Sequence, residues 1–168
     1  MDQSELRSLQ APIKERYREA PDSAVVTLKA RGSLGEGIAC KVETGRALAI
    51  AGLHPASGGS GLELCSGDML LEALVACAGV TLKAVATALS INLRNADILA
   101  EGDLDFRGTL GVAKDAPVGL RDIRLTFKLD TDAAPDAVDK LISLTERYCV
   151  VLQTLQVHPN ISVAAERV

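Results

Sequence analysis

"MLLEALVACAGVTLKAVATAL", residues 69–89, decides the fold because it is apolar on every side and long enough for one helix. A helix with apolar residues all round is buried on most of its faces. The pattern predicts a helix over about residues 68–90, with Asp68 or Ser66 as its N-cap. Its many small residues predict close packing against another helix, either in the same chain or in a second copy.

The composition indicates one compact domain with an aliphatic core. The chain has 168 residues, so we expect a single domain over residues 1–168, with residues 1–20 as an N-terminal helical extension. Apolar residues make up 48% of the chain and aromatic residues only 2%, which argues against stacking platforms for single-stranded nucleic acid. The net charge of −4, with interspersed signs, argues against any nucleic-acid partner.

The pattern of the apolar segments predicts a cytoplasmic protein that has no membrane attachment. The N-terminal residues lack the continuous apolar region of a secretory signal, and Glu72 and Lys83 interrupt the long apolar segment. In the cytoplasm, the four cysteines are not expected to form a disulfide framework. No CxxC pair occurs, so a zinc site is disfavoured and no metal or other cofactor is expected.

Strand patterns precede a cysteine-bearing helix in each half of the chain. Residues 120–130 are a predicted strand, because residues 123–129 within them alternate strictly between apolar and charged or polar side chains, which is typical of a strand with one buried face. The other predicted strands are residues 23–31, 38–45, 46–52, 104–110 and 161–168. Asp132 is the predicted cap of the helix that precedes Cys149. Runs of strands followed by helices indicate an α+β fold with antiparallel sheets.

The sequence contexts of Cys77 and Cys149 differ. Burial in the middle of an apolar helix should raise the pKa of Cys77 and leave it inert, unless a buried cation reaches it. Cys149 begins a shorter apolar segment, where the N–H groups and dipole of a new helix would favour its thiolate. Both residues could instead be small core fillers, as could Cys40 and Cys65.

Two motifs carry a family resemblance. "SGDMLLEALVACAGVTL" at residues 66–82, and "ERYCVVLQTL" at residues 146–155 followed by "HPNISV", resemble the motifs of the OsmC/Ohr family of thiol peroxidases. The N-terminal "LQAPIKERYREAPDSAVVTL" is also similar to the start of some members, so the resemblance covers essentially the whole chain. It implies an intertwined α+β homodimer, in which antiparallel sheets wrap around central cysteine-bearing helices.

The resemblance also implies a reaction. Members reduce organic hydroperoxides with a pair of thiols, so Cys77 would be the peroxidatic thiolate and Cys149 the resolving thiol. A sulfenic acid on Cys77 would condense with Cys149 to form a disulfide. A dithiol reductant, of lipoyl or thioredoxin type, would then reopen that disulfide.

The family further uses an arginine beside the thiolate and a carboxylate that orients this arginine. Arg31 is the best positional match for the arginine and Arg46 is the second. Asp68 stands where the family usually has Glu, and Glu72 follows one turn later. Because Asp68 would point away from Cys77 on an ideal helix, it could act only through an arginine.

Two alternatives remain open at the sequence level. The chain could be a non-enzymatic dimeric binding or structural protein of the same fold, with a cleft for an apolar ligand. Cys65 could also compete with Cys149 as the resolving thiol if its loop folds over Cys77. A further departure is Val150, since proline often follows the second cysteine in the family.

Overall fold

Helix α2, Ser66–Ala88, is the central element of the fold and confirms the helix expected around Cys77. The computed structural model describes residues 2–19, 31–34, 39–43, 48–111 and 113–167. The N-cap of α2 is Cys65, which makes no side-chain capping bond, so the prediction of Asp68 or Ser66 as N-cap is wrong. Asp68 instead lies in the first turn, where a carboxylate favours the helix dipole.

Four other helices surround or flank α2. They are α1 (Gln3–Glu19), α3 (Phe106–Thr109), α4 (Pro135–Tyr148) and α5 (Val150–Gln156). The N-terminal extension is therefore helical as predicted, and Gln3 Nε2 donates to the carbonyl of Ala88 at 2.7 Å. This bond places the start of α1 at the C-terminal end of α2.

The described strands form two sheets. The strands are β1 (Arg31–Leu34), β2 (Ala39–Glu43), β3 (Leu48–Gly52), β4 (Leu64–Cys65), β5 (Leu93–Asp103) and β6 (Arg121–Thr131). The first sheet has the order β1-β2-β3-β4, antiparallel except for the short parallel pair between β3 and β4. In the second sheet β5 pairs antiparallel with β6, and one face of it covers α2.

The alternation predicted for residues 120–130 is confirmed in β6. Ile123, Leu125, Phe127 and Leu129 are partly buried, whereas the residues between them are exposed. Opposite them, β5 turns Ala96, Ile98 and Ala100 toward the same face. The α+β fold class is thus confirmed, with the sheet packed on the cysteine-bearing helices.

Three expectations for the second half of the chain are wrong. Residues 104–110 hold the short helix α3 rather than a strand, because the Asp105 carboxylate accepts from the N–H of Arg107 and caps that turn. Residues 161–167 form no strand, since no described strand pairs with them. Asp132 does not cap α4, whose N-cap is Ala134; it pairs with Arg94 at 3.3 Å instead.

The expected strand at residues 23–31 falls almost wholly outside the described residues. Only Arg31 belongs to the described part, as the first residue of β1. The expected strands at 38–45 and 46–52 correspond to β2 and β3, which pair antiparallel as a hairpin requires.

The core of the described chain is built where α2, α4 and the second sheet meet. The largest fully buried apolar side chains are Leu74, Leu82 and Leu141, and each contributes roughly 1.5–3 kcal/mol through burial. Burial of α2 on most faces is not achieved within one chain, because Val80 is 74% exposed. By length and composition α2 is the one described helix that could cross a membrane, a test that core helices of soluble proteins also pass.

Candidate active site

The fold brings Cys77 and Cys149 together. Cys77 lies in the middle of α2, and Cys149 lies at the junction between α4 and α5. The Cys77 side chain packs against the cluster that contains Cys149, and both residues are free thiols. They share one apolar cluster with the buried residues Leu74 and Ala78, in which Cys149 is fully buried and Cys77 partly buried.

A break between two helices sets the position of Cys149. Its backbone is extended (φ −72°, ψ 104°), so it ends α4 and is the N-cap of α5. Its N–H donates to the carbonyl of Thr145 at 2.9 Å, and its carbonyl accepts from the N–H of Gln153 at 2.9 Å. Cys149 therefore makes the last backbone hydrogen bond of α4 and the first one of α5. The first turn of α5 faces α2.

The Cys77 sulfur lies among hydrogen-bond donors. Burial raises the pKa of the Cys77 thiol, but four hydrogen bonds together outweigh this effect and hold the pKa below its ordinary value. In order of strength the donors are the N–H of Val151, the thiol of Cys149, the N–H of Val150 and the hydroxyl of Thr81. All four of these groups, which belong to the described residues, are uncharged.

Cys149 behaves in the opposite way. Burial raises the pKa of the Cys149 thiol, and its bond to Cys77 raises it further, while the N–H groups of Leu152 and Val151 oppose the shift. The expected directions of the two pKa shifts, a raised pKa for Cys77 and a favoured thiolate for Cys149, are therefore wrong. The N-terminus of α5 acts mainly on the sulfur of the neighbouring helix, and Cys149 remains a neutral hydrogen-bond donor.

Of the two proposed arginines, only Arg31 lies in the part of the chain that the structure describes. Arg31 begins β1, opposite Glu43 of β2 in the register, and Arg46 lies outside the described residues. Four arginines that follow α2 in sequence are each engaged with aspartates at the surface: Arg94 with Asp130 and Asp132, Arg107 with Asp105, Arg121 with Asp122, and Arg124 with Asp103.

Asp68 and Glu72 lie away from the sulfur. Both are exposed, and they line a groove of about 400 Å³ between α2 and β5, together with apolar residues such as Leu99. Asp68 precedes Cys77 by nine positions, which corresponds to about 13 Å along an α-helix. A role for Asp68 in the chemistry therefore stays a prediction that requires an intervening arginine.

Cys65 is separated from the thiol pair. As the N-cap of α2 it precedes Cys77 by twelve positions, or about 18 Å along the helix axis. It lines a different cavity of about 360 Å³, near the stacked rings of His54 and Phe106. The possibility that Cys65 competes as the resolving thiol is thus contradicted. Cys40 is placed in β2, opposite Ala51.

Sequence reasoning missed three groups that contact Cys77, namely Thr81 and the N–H groups of Val150 and Val151. The spacing of four residues between Cys77 and Thr81 was a usable signal, because such residues share one face of a helix. The direction of the α5 N–H groups was not readable, since it depends on how two distant helices pack. Within the described residues, no cluster of three or more His, Cys, Asp or Glu side chains is arranged to hold a metal ion.

Comparison with known proteins supports both the motifs and the fold. A family profile described as OsmC-like protein matches residues 59–164. An OsmC-like protein from Mycoplasma pneumoniae is 18% identical, with a TM-score of 0.66 over 78% of this chain and 88% of that one.

Two organic hydroperoxide resistance proteins also have similar structures. The one from Elizabethkingia anophelis is 14% identical, with a TM-score of 0.64 over 80% of this chain and 91% of that one. OhrB of Bacillus subtilis is 18% identical, with a TM-score of 0.53 over 80% and 94% of the two chains. No curated protein matches the sequence significantly.

Proposed function

This chain belongs to the OsmC-like protein family, and from its paired thiols we propose that it is a thiol-dependent peroxidase that reduces organic hydroperoxides. The observation that carries the proposal is the packing of Cys77 against the buried Cys149 in one apolar cluster, with the pKa of Cys77 lowered and that of Cys149 raised. Separated pKa values assign different roles to two titratable groups. Cys77 is then the nucleophile, and Cys149 is the thiol held ready for the second step.

The first step is attack by the Cys77 thiolate on the outer oxygen of the hydroperoxide. A sulfur–oxygen bond forms, the O–O bond breaks, and the alkoxide leaves and takes a proton to become an alcohol. Cys77 is oxidised to a sulfenic acid. The surrounding apolar side chains, among them Ile98 and Leu152, favour an alkyl or fatty-acyl peroxide over strongly hydrated hydrogen peroxide.

The second step joins the two sulfurs. Cys149 attacks the Cys77 sulfenic acid, a disulfide forms, and the hydroxyl leaves as water after taking the Cys149 proton. An external dithiol, of lipoyl or thioredoxin type, then reduces the disulfide and returns both thiols. The cycle needs no cofactor beyond these reactants.

We assign Arg31 to the thiolate as its cationic partner and Asp68 to the orientation of that arginine. The family resemblance supports this assignment, as does the engagement of Arg94, Arg107 and Arg124 elsewhere. A guanidinium would strengthen the thiolate further, because charge interactions grow in apolar surroundings. Arg46 is the second candidate for the same position, and Glu72 for the carboxylate.

The working form is a cytoplasmic homodimer. The apolar side chains left exposed on the described chain support a second subunit, notably Val80 on α2 and Ile161 and Val163 near the C-terminus. Their exposed fractions are 74%, 82% and 93%, far above what a buried helix or strand would show.

A coupled assay with cumene hydroperoxide and a fatty-acid hydroperoxide tests the activity. We expect turnover with a dithiol reductant, loss of turnover in Cys77→Ser, and a trapped sulfenic acid in Cys149→Ser after one equivalent of peroxide. Cys65→Ser is the matched control and should keep the parent rate, because Cys65 is remote from the pair. Turnover in Cys77→Ser equal to that of the parent protein would end the proposal.

The groove between α2 and β5 favours one alternative, a non-enzymatic binding protein for an apolar ligand. Its apolar lining and its position on the side of α2 away from Cys77 would allow binding without any thiol chemistry. Mass spectrometry after mild peroxide treatment separates the two functions. A peroxidase yields a Cys77–Cys149 disulfide, whereas a binding protein leaves both cysteines reduced.

A further inference from the structure

The break between α4 and α5 leaves the carbonyl of Glu146 without its usual helical partner. In a continuous α-helix this carbonyl would accept from the N–H of Val150, four residues later. The extended backbone of Cys149 ends α4 before that bond can form, and α5 begins on its other side. The structure shows no backbone hydrogen bond between these two described groups.

The side chain of Gln153 supplies the missing donor. Its Nε2 donates to the carbonyl of Glu146 at 2.9 Å, and also to Oε1 of Gln156 at 3.3 Å. The backbone N–H of the same residue donates to the carbonyl of Cys149 at 2.9 Å. Gln153 is therefore bonded to the last turn of α4 through its side chain, and to the cysteine at the break through its backbone.

The contacts of α5 decide how it lies against α2. Helix α5 has seven residues, and a helix this short is not stable by itself, so its contacts with the rest of the chain hold it in place. Three of its apolar side chains pack in the cluster that contains Cys149 and borders Cys77, namely Val151, Leu152 and Leu155. The bond from Gln153 to the Glu146 carbonyl adds a polar link to α4, which restrains the angle between α4 and α5.

Resting on the peroxidase function proposed above, we propose that Gln153 is a positioning residue, whose side-chain amide fixes the α4–α5 break and so holds Cys149 within reach of Cys77. Two cysteines form a disulfide only when their Cα atoms lie within about 7 Å and their side chains converge. Cys149 is the residue at the break, so a change in the angle would move its sulfur relative to α2. A thiol that is already in place forms the bond more favourably than one that must first be ordered.

The test is the thiol–disulfide equilibrium of Cys77 and Cys149 in mixtures of reduced and oxidised dithiothreitol. Differential alkylation after an acid quench, read by mass spectrometry of the two cysteine peptides, gives the fraction of disulfide. Gln153→Met keeps the length of the side chain and removes its donor. We expect the equilibrium constant for disulfide formation to fall roughly three- to tenfold, the effect of losing one hydrogen bond.

Gln156→Met is the matched control, since it removes a glutamine of the same helix and leaves the bond from Gln153 to Glu146 intact. Its equilibrium constant should equal that of the parent protein. Gln153→Lys, which retains a donor on a long side chain, should recover most of the loss. If Gln153→Met does not fold, Gln153→Glu replaces it, because an ionised carboxylate of the same shape cannot donate.

Chemical denaturation of the reduced proteins separates positioning from general stability. A Gln153→Met protein that is less stable than the parent but has the same disulfide equilibrium overturns the inference, because the amide would then serve the fold alone. A parent protein in which no Cys77–Cys149 disulfide forms at any ratio of the two dithiothreitol forms overturns it as well.

The dithiothreitol equilibrium requires no peroxide, so the two proposals fail separately. A lowered equilibrium constant in Gln153→Met, in a protein that reduces no hydroperoxide, would reject the peroxidase function and retain the positioning of the thiol pair. Peroxide turnover with an unchanged equilibrium in Gln153→Met would reject the role of Gln153 alone. If both proposals hold, dimedone traps more Cys77 sulfenic acid in Gln153→Met than in the parent, because the disulfide closes more slowly.

Discussion

At the scale of single residues, hydrogen bonds from uncharged groups offset the effect of burial on the pKa of Cys77. Apolar burial disfavours the thiolate, and hydrogen bonds from Val151, Cys149, Val150 and Thr81 reverse the balance. Cys149 is more deeply buried than Cys77 and donates to it, and both effects raise the pKa of Cys149. The pKa values of the two cysteines differ because Cys149 is the donor toward Cys77, and because N–H groups of α5 also donate to Cys77.

The lowered pKa of Cys77 makes a prediction about pH. Because folding lowers this pKa, the thiolate stabilises the folded state above the unfolded-state pKa, and this contribution is lost as pH falls through the folded-state pKa. Folding raises the pKa of Cys149, so its protonated thiol stabilises the folded state below the unfolded-state pKa, and this contribution is lost as pH rises through the folded-state pKa. We therefore expect iodoacetamide to modify Cys77 at lower pH than a free thiol, and Cys149 only at higher pH.

Peptide mapping across a pH series measures both profiles in one experiment. Urea-unfolded protein is the control, in which the two cysteines should titrate alike near the value of a free thiol. Equal profiles for Cys77 and Cys149 in the folded protein would contradict the assignment of nucleophile and resolving thiol.

The sequence was sufficient to predict that Cys77 and Cys149 form a pair, but not the interactions that set the pKa of each thiol. Cys77 and Cys149 were chosen from the context of each in an apolar helix and from the family motifs, and the fold places them in contact. Their relative acidity was predicted wrongly, because helix periodicity says nothing about which neighbouring helix presents its N–H groups. The Arg31 and Asp68 assignments still rest on the resemblance.

At the scale of elements, the loop before α2 depends on a close backbone approach. The N–H of Gly59 donates to the carbonyl of His54 at 3.2 Å, closing the turn over Pro55–Ser57. A Cβ added at Gly59 would overlap the backbone carbonyl of Leu53. No side chain fits there without movement of the loop that leads into the cysteine-bearing helix.

Gly59→Ala should accordingly lower the free energy of unfolding by about 1–3 kcal/mol, the usual cost of overpacking. Chemical denaturation followed by circular dichroism measures this change. Gly119→Ala is the matched control, because open space surrounds a Cβ at that position, and its effect should stay within about 0.5 kcal/mol. Equal stabilities of the two variants would mean that the loop can relax.

The strands show which patterns are readable in a sequence. β6 was predicted because large apolar residues such as Ile123 and Phe127 alternate with charged ones. β5 was missed because its inward positions include the small residues Ala96 and Ala100, while Leu99 lies on its exposed face. The periodicity of β5 is just as strict, but its contrast in hydrophobicity is weak.

At the scale of the whole molecule, several large apolar side chains of the described residues are exposed, which supports the proposed dimer. Val80 is the most exposed large apolar side chain of α2. We expect sedimentation velocity to show a dimer, and Val80→Arg to shift the protein toward the monomer, because a charge would then have to be buried unpaired. Leu62→Arg, at a 91% exposed position of the loop before β4, is the control and should leave the dimer intact.

A parent protein that sediments as a monomer at all concentrations would contradict the dimer. The same result would leave the thiol pair unaffected, since Cys77 and Cys149 meet within a single chain.

The complete burial of Cys149 has a consequence for regeneration. Once the disulfide has formed, an incoming thiol can reach only the Cys77 sulfur, because Cys149 has no exposed surface. The mixed disulfide should therefore form on α2, with Cys149 as the leaving group. A thiol of raised pKa leaves slowly, so we expect reopening, rather than peroxide cleavage, to limit the turnover rate.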